Sequence, residues 1–233
     1  VTPWAITRAA DDAAVQCEAL RASGVPAFPL PCVELTLRPV PEWKPTGTPV
    51  VLLTSKTALL AVRASLNDFP GLLAAVAPHT SEAARASGFT VHLEAEGGAV
   101  ALARAVIAHL HQTRITTPAF WYPTSDAGLR SDEQAEAVAL LEALGPVTRP
   151  AVYETRPPPA LHTATVPERF HAFFASPSAV EHFLSARLPA PQRVACWGHS
   201  TYVAARTHFP QAVEVSRHRP LAESLVEQEQ PHV

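Results

Sequence analysis

With 233 residues, a formal charge of -3 and 17% charged residues, the chain is long enough for two cores of about 100 residues each. It lacks the basic face that non-specific nucleic-acid binding needs. No apolar run approaches the roughly 18 residues of a membrane span, and no basic start followed by an apolar core marks a leader, so a cytoplasmic protein without membrane contact is expected. The cysteines, Cys17, Cys32 and Cys196, are odd in number and without C-x-x-C spacing, which predicts reduced, mostly buried thiols and neither a disulfide framework nor a zinc site.

In chain order, Trp4 to Thr7 reads as a short apolar strand with Arg8 just beyond its end. A helix follows, with Asp11 and Asp12 in its first turn, an apolar face of Val15, Ala19, Leu20 and Ala22, and a stop at Gly24. Val25 to Leu30 is then a second strand, parallel to the first because a helix separates them. Leu37 to Pro49 sets four prolines among polar residues and reads as a connector. Val50 to Thr54 is a continuous apolar run, the pattern of a strand buried on both faces of a parallel sheet.

The βα alternation continues through helix Thr57 to Leu66, strand Leu72 to Ala77, helix Thr80 to Ser87 and strand Thr90 to Leu93. Helix Ala99 to His111, strand Thr116 to Tyr122, helix Asp132 to Leu144 and a fifth strand, Thr148 to Tyr153, complete a doubly wound unit. Pro157-Pro158-Pro159 ends it, because consecutive prolines neither extend a helix nor donate to a sheet. Beyond it come strands Phe170 to Ala175, Arg193 to Trp197 and Ala212 to Val215, with helices Ser178 to Leu188, Thr201 to Thr207 and Leu221 to Glu229.

Three strands here and two at the start make five, so the outer fragments are expected to complete a second unit of the same design. The predicted domains are 1-36 plus 166-233 and an inserted 48-153, with 37-47 and 154-165 as crossing linkers. An internal repeat supports this reading. At an offset of 121 residues, Leu53-Thr54-Ser55-Lys56-Thr57-Ala58 falls on Phe174-Ala175-Ser176-Pro177-Ser178-Ala179, Thr80 falls on Thr201 and Arg85 on Arg206.

Ala5-Ile6-Thr7-Arg8, Leu53-Thr54-Ser55, Ala75-Val76-Ala77-Pro78-His79-Thr80, Val152-Tyr153-Glu154-Thr155, the Phe174 to Ala179 segment and Gly198-His199-Ser200-Thr201 stand in an order that resembles uroporphyrinogen-III synthase over essentially the whole chain. The resemblance implies an α/β protein of two flavodoxin-like domains with parallel five-stranded sheets, joined by a two-stranded connector, with substrate in the cleft between them. It implies a lyase of haem biosynthesis that cyclises the linear tetrapyrrole hydroxymethylbilane, inverting ring D and losing water, with no cofactor. It also implies a monomer, with a transient contact to the upstream deaminase. The sequence departs from the family's pattern with Ala77 for a glycine, His199 for a proline, and Thr124-Ser125 where many members have an arginine-glycine pair.

Tyr153 matches the family's tyrosine and is the catalytic candidate, a phenol that can donate a proton to the departing hydroxyl. Ser55, Thr80, Ser176, Ser200 and Thr201 lie at strand ends or helix starts, where open α/β sheets bind ligands. They are candidates to bind substrate with neighbouring backbone N–H groups, although N-capping alone explains each singly. A substrate with eight carboxylates calls for local positive charge. Arg8 is the first candidate cation, and Arg130, Arg217 and Arg219 are further ones.

No metal is expected, because His109 and His111 are two apart on a helix and face different ways. Nucleophile-elbow, dinucleotide and P-loop fingerprints do not occur. The competing reading is a non-catalytic, synthase-like sensor that closes on a tetrapyrrole or another anionic small molecule. Such sensors often carry a DNA-binding domain, and with the sequence ending at Val233 none is expected.

Overall fold

Buried apolar strands carry the architecture of the computed structural model, which describes residues 1–216 and 219–229. The chain's contacts divide into two units, an outer one of residues 1–35 with those from Thr155 onward and a central one of Thr36–Glu154.

The central unit holds β4 (Thr48–Leu53), α2 (Lys56–Val62), β5 (Leu72–Val76), α3 (His79–Ala86), β6 (Leu93–Ala95), α4 (Gly98–Thr113), β7 (Pro118–Trp121), β8 (Thr124–Ser125), α5 (Asp132–Glu142) and β9 (Val147–Thr148). The outer unit holds β1 (Trp4–Ile6), α1 (Ala10–Ala22), β2 (Ala27–Pro29), β11 (His171–Phe174), α6 (Pro177–Ser185), β12 (Val194–Trp197), α7 (His199–Arg206), β13 (Ala212–Val215) and α8 (Leu221–Glu229). Strands β3 (Glu34–Leu37) and β10 (Ala151–Arg156) carry the chain from one unit to the other.

Each unit is a parallel five-stranded sheet with helices on both faces, ordered β6-β5-β4-β7-β9 in the central unit and β13-β12-β11-β1-β2 in the outer one. Val50 to Leu53 at the middle of the central sheet are fully or almost fully buried, each contributing about 1.5–3 kcal/mol of apolar transfer. One face packs against α2 and α3 through Ala58, Leu59, Val62 and Ala84, the other against α4 and α5 through Leu102, Val106, Ala137 and Leu141. The outer sheet is covered by α6 and α7 on one face and by α1 and α8 on the other.

The two sheets share one strand order once β1 and β2 are counted after β13. Strand β4 then matches β11, and β7 matches β1. The sequence repeat has the same frame, since Leu53 and Phe174 each end a strand and Ser55 and Ser176 each cap the helix that follows.

Two expectations change. The strand foreseen over Thr148 to Tyr153 is two strands: Val147–Thr148 pairs with β7 in the central sheet, whereas Ala151–Arg156 leaves for a separate sheet ordered β3-β10-β8. Pro150 lies at the break and has no N–H to donate to a ladder. The connector thus gains β8 beside the two foreseen strands, and Arg38 pairs with the buried Glu154 across it. In α1 the buried face is Ala13, Cys17 and Leu20, spaced four and three apart, while Val15 is 67% exposed.

Candidate functional site

In a parallel sheet the chain leaves every strand at the same edge, and connections diverge to opposite sides at the switch point of the strand order, which opens a crevice there. In the central sheet that point lies between β4 and β7, which end in Leu53 and Trp121. In the outer sheet it lies between β11 and β1, which end in Phe174 and Ile6. The residues just past these ends are Thr54-Ser55, Tyr122, Ala175-Ser176 and Thr7-Arg8.

At the central switch point Ser55 has extended backbone and caps α2, its Oγ accepting from the Ala58 N–H at 3.0 Å. The same oxygen lies 3.1 Å from the hydroxyl of Tyr153 on β10. Either hydroxyl can donate. Ser55 already accepts the cap bond, so in the arrangement where it donates to the phenol oxygen, the phenol proton is left for an outside acceptor. Both residues are half-buried, which keeps the pair within reach of solvent.

Next to this pair is a second tyrosine that sequence reasoning did not select. Tyr122 is fully buried, and its hydroxyl has no hydrogen-bond partner within 3.5 Å among the described residues. Burial pushes its pKa up, the Thr54 hydroxyl and the Arg149 guanidinium oppose that, and the Glu133 and Tyr153 side chains reinforce it. The Arg149 guanidinium lies 5.7 Å from the centre of the Tyr122 ring. Its Nη2 donates to the Gly128 carbonyl oxygen and, at 3.0 Å, to Gln134 Oε1, which also accepts from Thr124 Oγ1 at 2.7 Å.

In the outer unit, Thr7 bridges the switch point, its Oγ1 donating to the Phe173 carbonyl oxygen at 2.7 Å. Arg8 lies over the Trp197 ring at 5.6 Å and is held by Asp12 at 2.6 Å and Gln16 at 3.3 Å. Ser176 repeats the cap of Ser55 on α6, with the Ala179 N–H at 3.2 Å. Gly198, at φ +78°, turns the chain into α7, where Ser200 is exposed and Thr201 is buried, with a hydroxyl that has no partner among the described residues.

The structure therefore brings Ser55 to Tyr153, and sets Arg8 and Ser176 at one switch point. Thr80, in the first turn of α3, is 5% exposed and contacts neither Ser55 nor Tyr153 by a hydrogen bond among the described residues. Arg130 and Arg219 are exposed and paired with Asp126 and with Glu223 and Glu227, and Arg217 lies outside the described residues. A cavity of about 510 Å³ in the central unit has none of these residues in its lining, which is largely apolar and includes Val40, Trp43, Phe69, Pro70 and Trp121. The described residues contain no cluster of three or more His, Cys, Asp or Glu that could hold a metal ion. Burial pushes the Cys32 and Cys196 thiols up to about 12, far from the range of a reactive thiolate.

The family model for uroporphyrinogen-III synthase HemD matches residues 16–227, a span that contains every candidate above except Arg8. Among solved structures, the chain is similar to uroporphyrinogen-III synthetase from Helicobacter pylori, at 15% identity, with 99% of this chain and 100% of that one covered and a TM-score of 0.67. It is also similar to a mutant uroporphyrinogen III synthase from the extremely thermophilic bacterium Thermus thermophilus, at 15% identity, with 98% of each chain covered and a TM-score of 0.59. At such identity the likeness speaks for the fold. No curated protein matches the sequence.

Proposed function

The chain belongs to the uroporphyrinogen-III synthase family, and from that premise we propose that Tyr153, with Ser55 behind it, is the proton donor for the family's reaction, the closure of hydroxymethylbilane with inversion of ring D and loss of water. The observation that supports this reading is the Ser55–Tyr153 hydroxyl pair at the switch point of the central sheet.

The chemistry makes one acid–base demand and one geometric demand. Pyrrole electrons expel the terminal hydroxyl. The Tyr153 O–H gives that hydroxyl its proton, so that water leaves and an azafulvenium cation remains beside the phenolate. The Ser55 O–H then donates to the phenolate oxygen, lowering the cost of the charge. Ring D attacks through its substituted carbon to form a spiro intermediate, the bond from that carbon to its original methylene bridge then breaks, and the freed bridge re-bonds at the unsubstituted α-carbon of ring D. The phenolate regains a proton when the rearranged pyrrole carbon loses one, so the donor is restored with each turnover. The geometric demand is to hold the one approach that gives inversion against simple closure to the type I isomer, which is catalysis by a near-attack conformation.

Arg8, Ser55, Thr80, Ser176, Ser200 and Thr201 are the proposed substrate-binding residues. The backbone N–H groups at the helix starts supply further donors for acetate and propionate carboxylates. The same reading makes the protein a cytoplasmic monomer that meets its upstream deaminase only transiently. No helix among the described residues is long and apolar enough to cross a membrane.

Isomer analysis tests the function. Hydroxymethylbilane is generated in place by the deaminase, the product is oxidised, and uroporphyrins I and III are separated. A protein-dependent excess of type III is expected. Type I alone with tight tetrapyrrole binding would instead mark a sensor. Tyr153→Phe is expected to lower kcat by about tenfold to a hundredfold, the usual range for a lost general acid, and unchanged turnover would reduce Tyr153 to packing.

A further inference from the structure

The candidate cations foreseen from sequence and described in the structure are all tied to carboxylates: Arg8 to Asp12, Arg130 to Asp126, and Arg219 to Glu223 and Glu227. Arg149 differs. Its two hydrogen bonds, both from Nη2, go to neutral oxygens, the Gly128 carbonyl and Gln134 Oε1, and its guanidinium lies over the Tyr122 ring. Nε is buried without a partner, and Nη1 makes no hydrogen bond among the described residues.

The carboxylate of Glu133, which acts on Tyr122, is committed elsewhere, accepting from the Ala99 N–H at 2.7 Å at the start of α4. Burial lowers the Arg149 pKa, and the opposing influence comes from the Tyr122 phenol and from no carboxylate. A guanidinium nevertheless stays charged at neutral pH. A partly buried charge without a counter-ion is costly to keep, and a ligand of opposite charge repays that cost.

Position adds to the charge argument. Arg149 directly follows β9, which pairs with β7, so it stands at the carboxyl edge of the central sheet one strand from the switch point. Its neighbour Tyr122 also feels the Tyr153 phenol. Gly128 and Gln134 fix Nη2, which leaves Nη1 as the end able to meet a ligand.

We propose that Arg149 is a carboxylate-binding residue of the central unit, its Nη1 donating to an acetate or propionate side chain of the tetrapyrrole. This rests on the family's reaction being that of this chain. The bond is charge-assisted on both sides, and its loss is worth about tenfold to a hundredfold in affinity.

The test compares wild type, Arg149→Gln and Arg149→Lys. Uroporphyrin III, an octacarboxylate, is titrated by fluorescence at low salt and at about 0.5 M salt, where exposed charge interactions are screened. KM and kcat are measured alongside, with thermal unfolding as a control. Arg149→Gln is expected to weaken uroporphyrin binding and raise KM by about tenfold to a hundredfold at low salt, with kcat within about twofold. The loss is expected to shrink at high salt, and Arg149→Lys, which keeps the charge but has no second nitrogen to hold Gly128 and Gln134, to fall between wild type and Arg149→Gln.

Wild-type binding and KM in Arg149→Gln would overturn the proposal. So would equal losses in both variants together with a lowered Tm, since Arg149 would then be a strut for the Gly128–Gln134 loop. If wild type yields no type III isomer, the reaction itself is at fault, and the porphyrin titration still decides on Arg149.

Discussion

Ser55 and Ser176 make a comparison that the molecule supplies itself. Both follow a buried strand, both have extended backbone, and both accept from the backbone N–H three residues on, but Ser55 alone of the two also meets a phenol. Replacing either by alanine removes a helix cap worth about 1 kcal/mol, so urea unfolding is expected to show similar losses. Steady-state kinetics are expected to separate them. Ser55→Ala lowers kcat by roughly fivefold, the equivalent of one hydrogen bond of about 1 kcal/mol, whereas any effect of Ser176→Ala falls on KM. Equal kcat values for Ser55→Ala and wild type would remove Ser55 from the chemistry. These serines were legible in the sequence because a hydroxyl after a buried strand and before a helix has few other uses. Tyr122 and Arg149 were not. Tyr122 reads as the last apolar residue of its strand, which gives its place at the sheet edge but not its buried hydroxyl, unpartnered among the described residues, and Arg149 falls inside a segment that reads as one continuous strand, which hides its place at that edge.

The start of α4 shows how one glycine ties two elements together. Gly98 has φ +90°, and a Cβ built there would stand 2.2 Å from Glu133 Oε1, the oxygen that accepts from the Ala99 N–H. Gly98→Ala is expected to cost about 1–3 kcal/mol, from left-handed backbone in a residue with a side chain and from a displaced cap. A urea midpoint equal to wild type would contradict this. The alternation of strands and helices was readable because each buried strand is a short apolar run bounded by turn residues, and both five-stranded parallel sheets follow from it. Where one run met a proline the reading failed: Thr148 and Ala151 belong to different sheets, and the Arg149-Pro150 step between them marks the change. In α1 the small residues Ala13 and Cys17 pack inward while Val15 faces solvent. Hydrophobicity ranked these residues wrongly, because Val15 lies two residues from both Ala13 and Cys17, a step that turns its side chain to the opposite side of the helix.

All three cysteines lie in the outer unit and none in the central one. Cys32 and Cys196 keep their protons in the folded state up to about 12, against 9.0 for the ordinary thiol. A folded pKa above the unfolded one gives stability that is complete below pH 9 and drains away as pH rises toward 12. The outer unit is therefore expected to lose about 1 kcal/mol per pH unit per thiol between pH 9 and 10, with the central unit unaffected by this cause. Tryptophans allow each unit to be followed, Trp4 and Trp197 in the outer one and Trp43 and Trp121 in the central one. Urea unfolding of variants retaining one tryptophan, at pH 8 and pH 10, checks this, and Cys196→Ala is expected to remove only part of the effect, because burial raises Cys17 and Cys32 as well. Equal shifts in both units would defeat it. The shared strand order has a further consequence, which concerns time. Strand β1 pairs with β11 through Trp4 and His171, so β1 must wait until the chain has been synthesised past β11, whereas the central unit draws all its strands from one continuous segment. Closing so long a loop is slow. On the ribosome the central unit is complete first, and β1 and β2 spend that interval as an unpaired apolar edge that a holding chaperone has reason to cover.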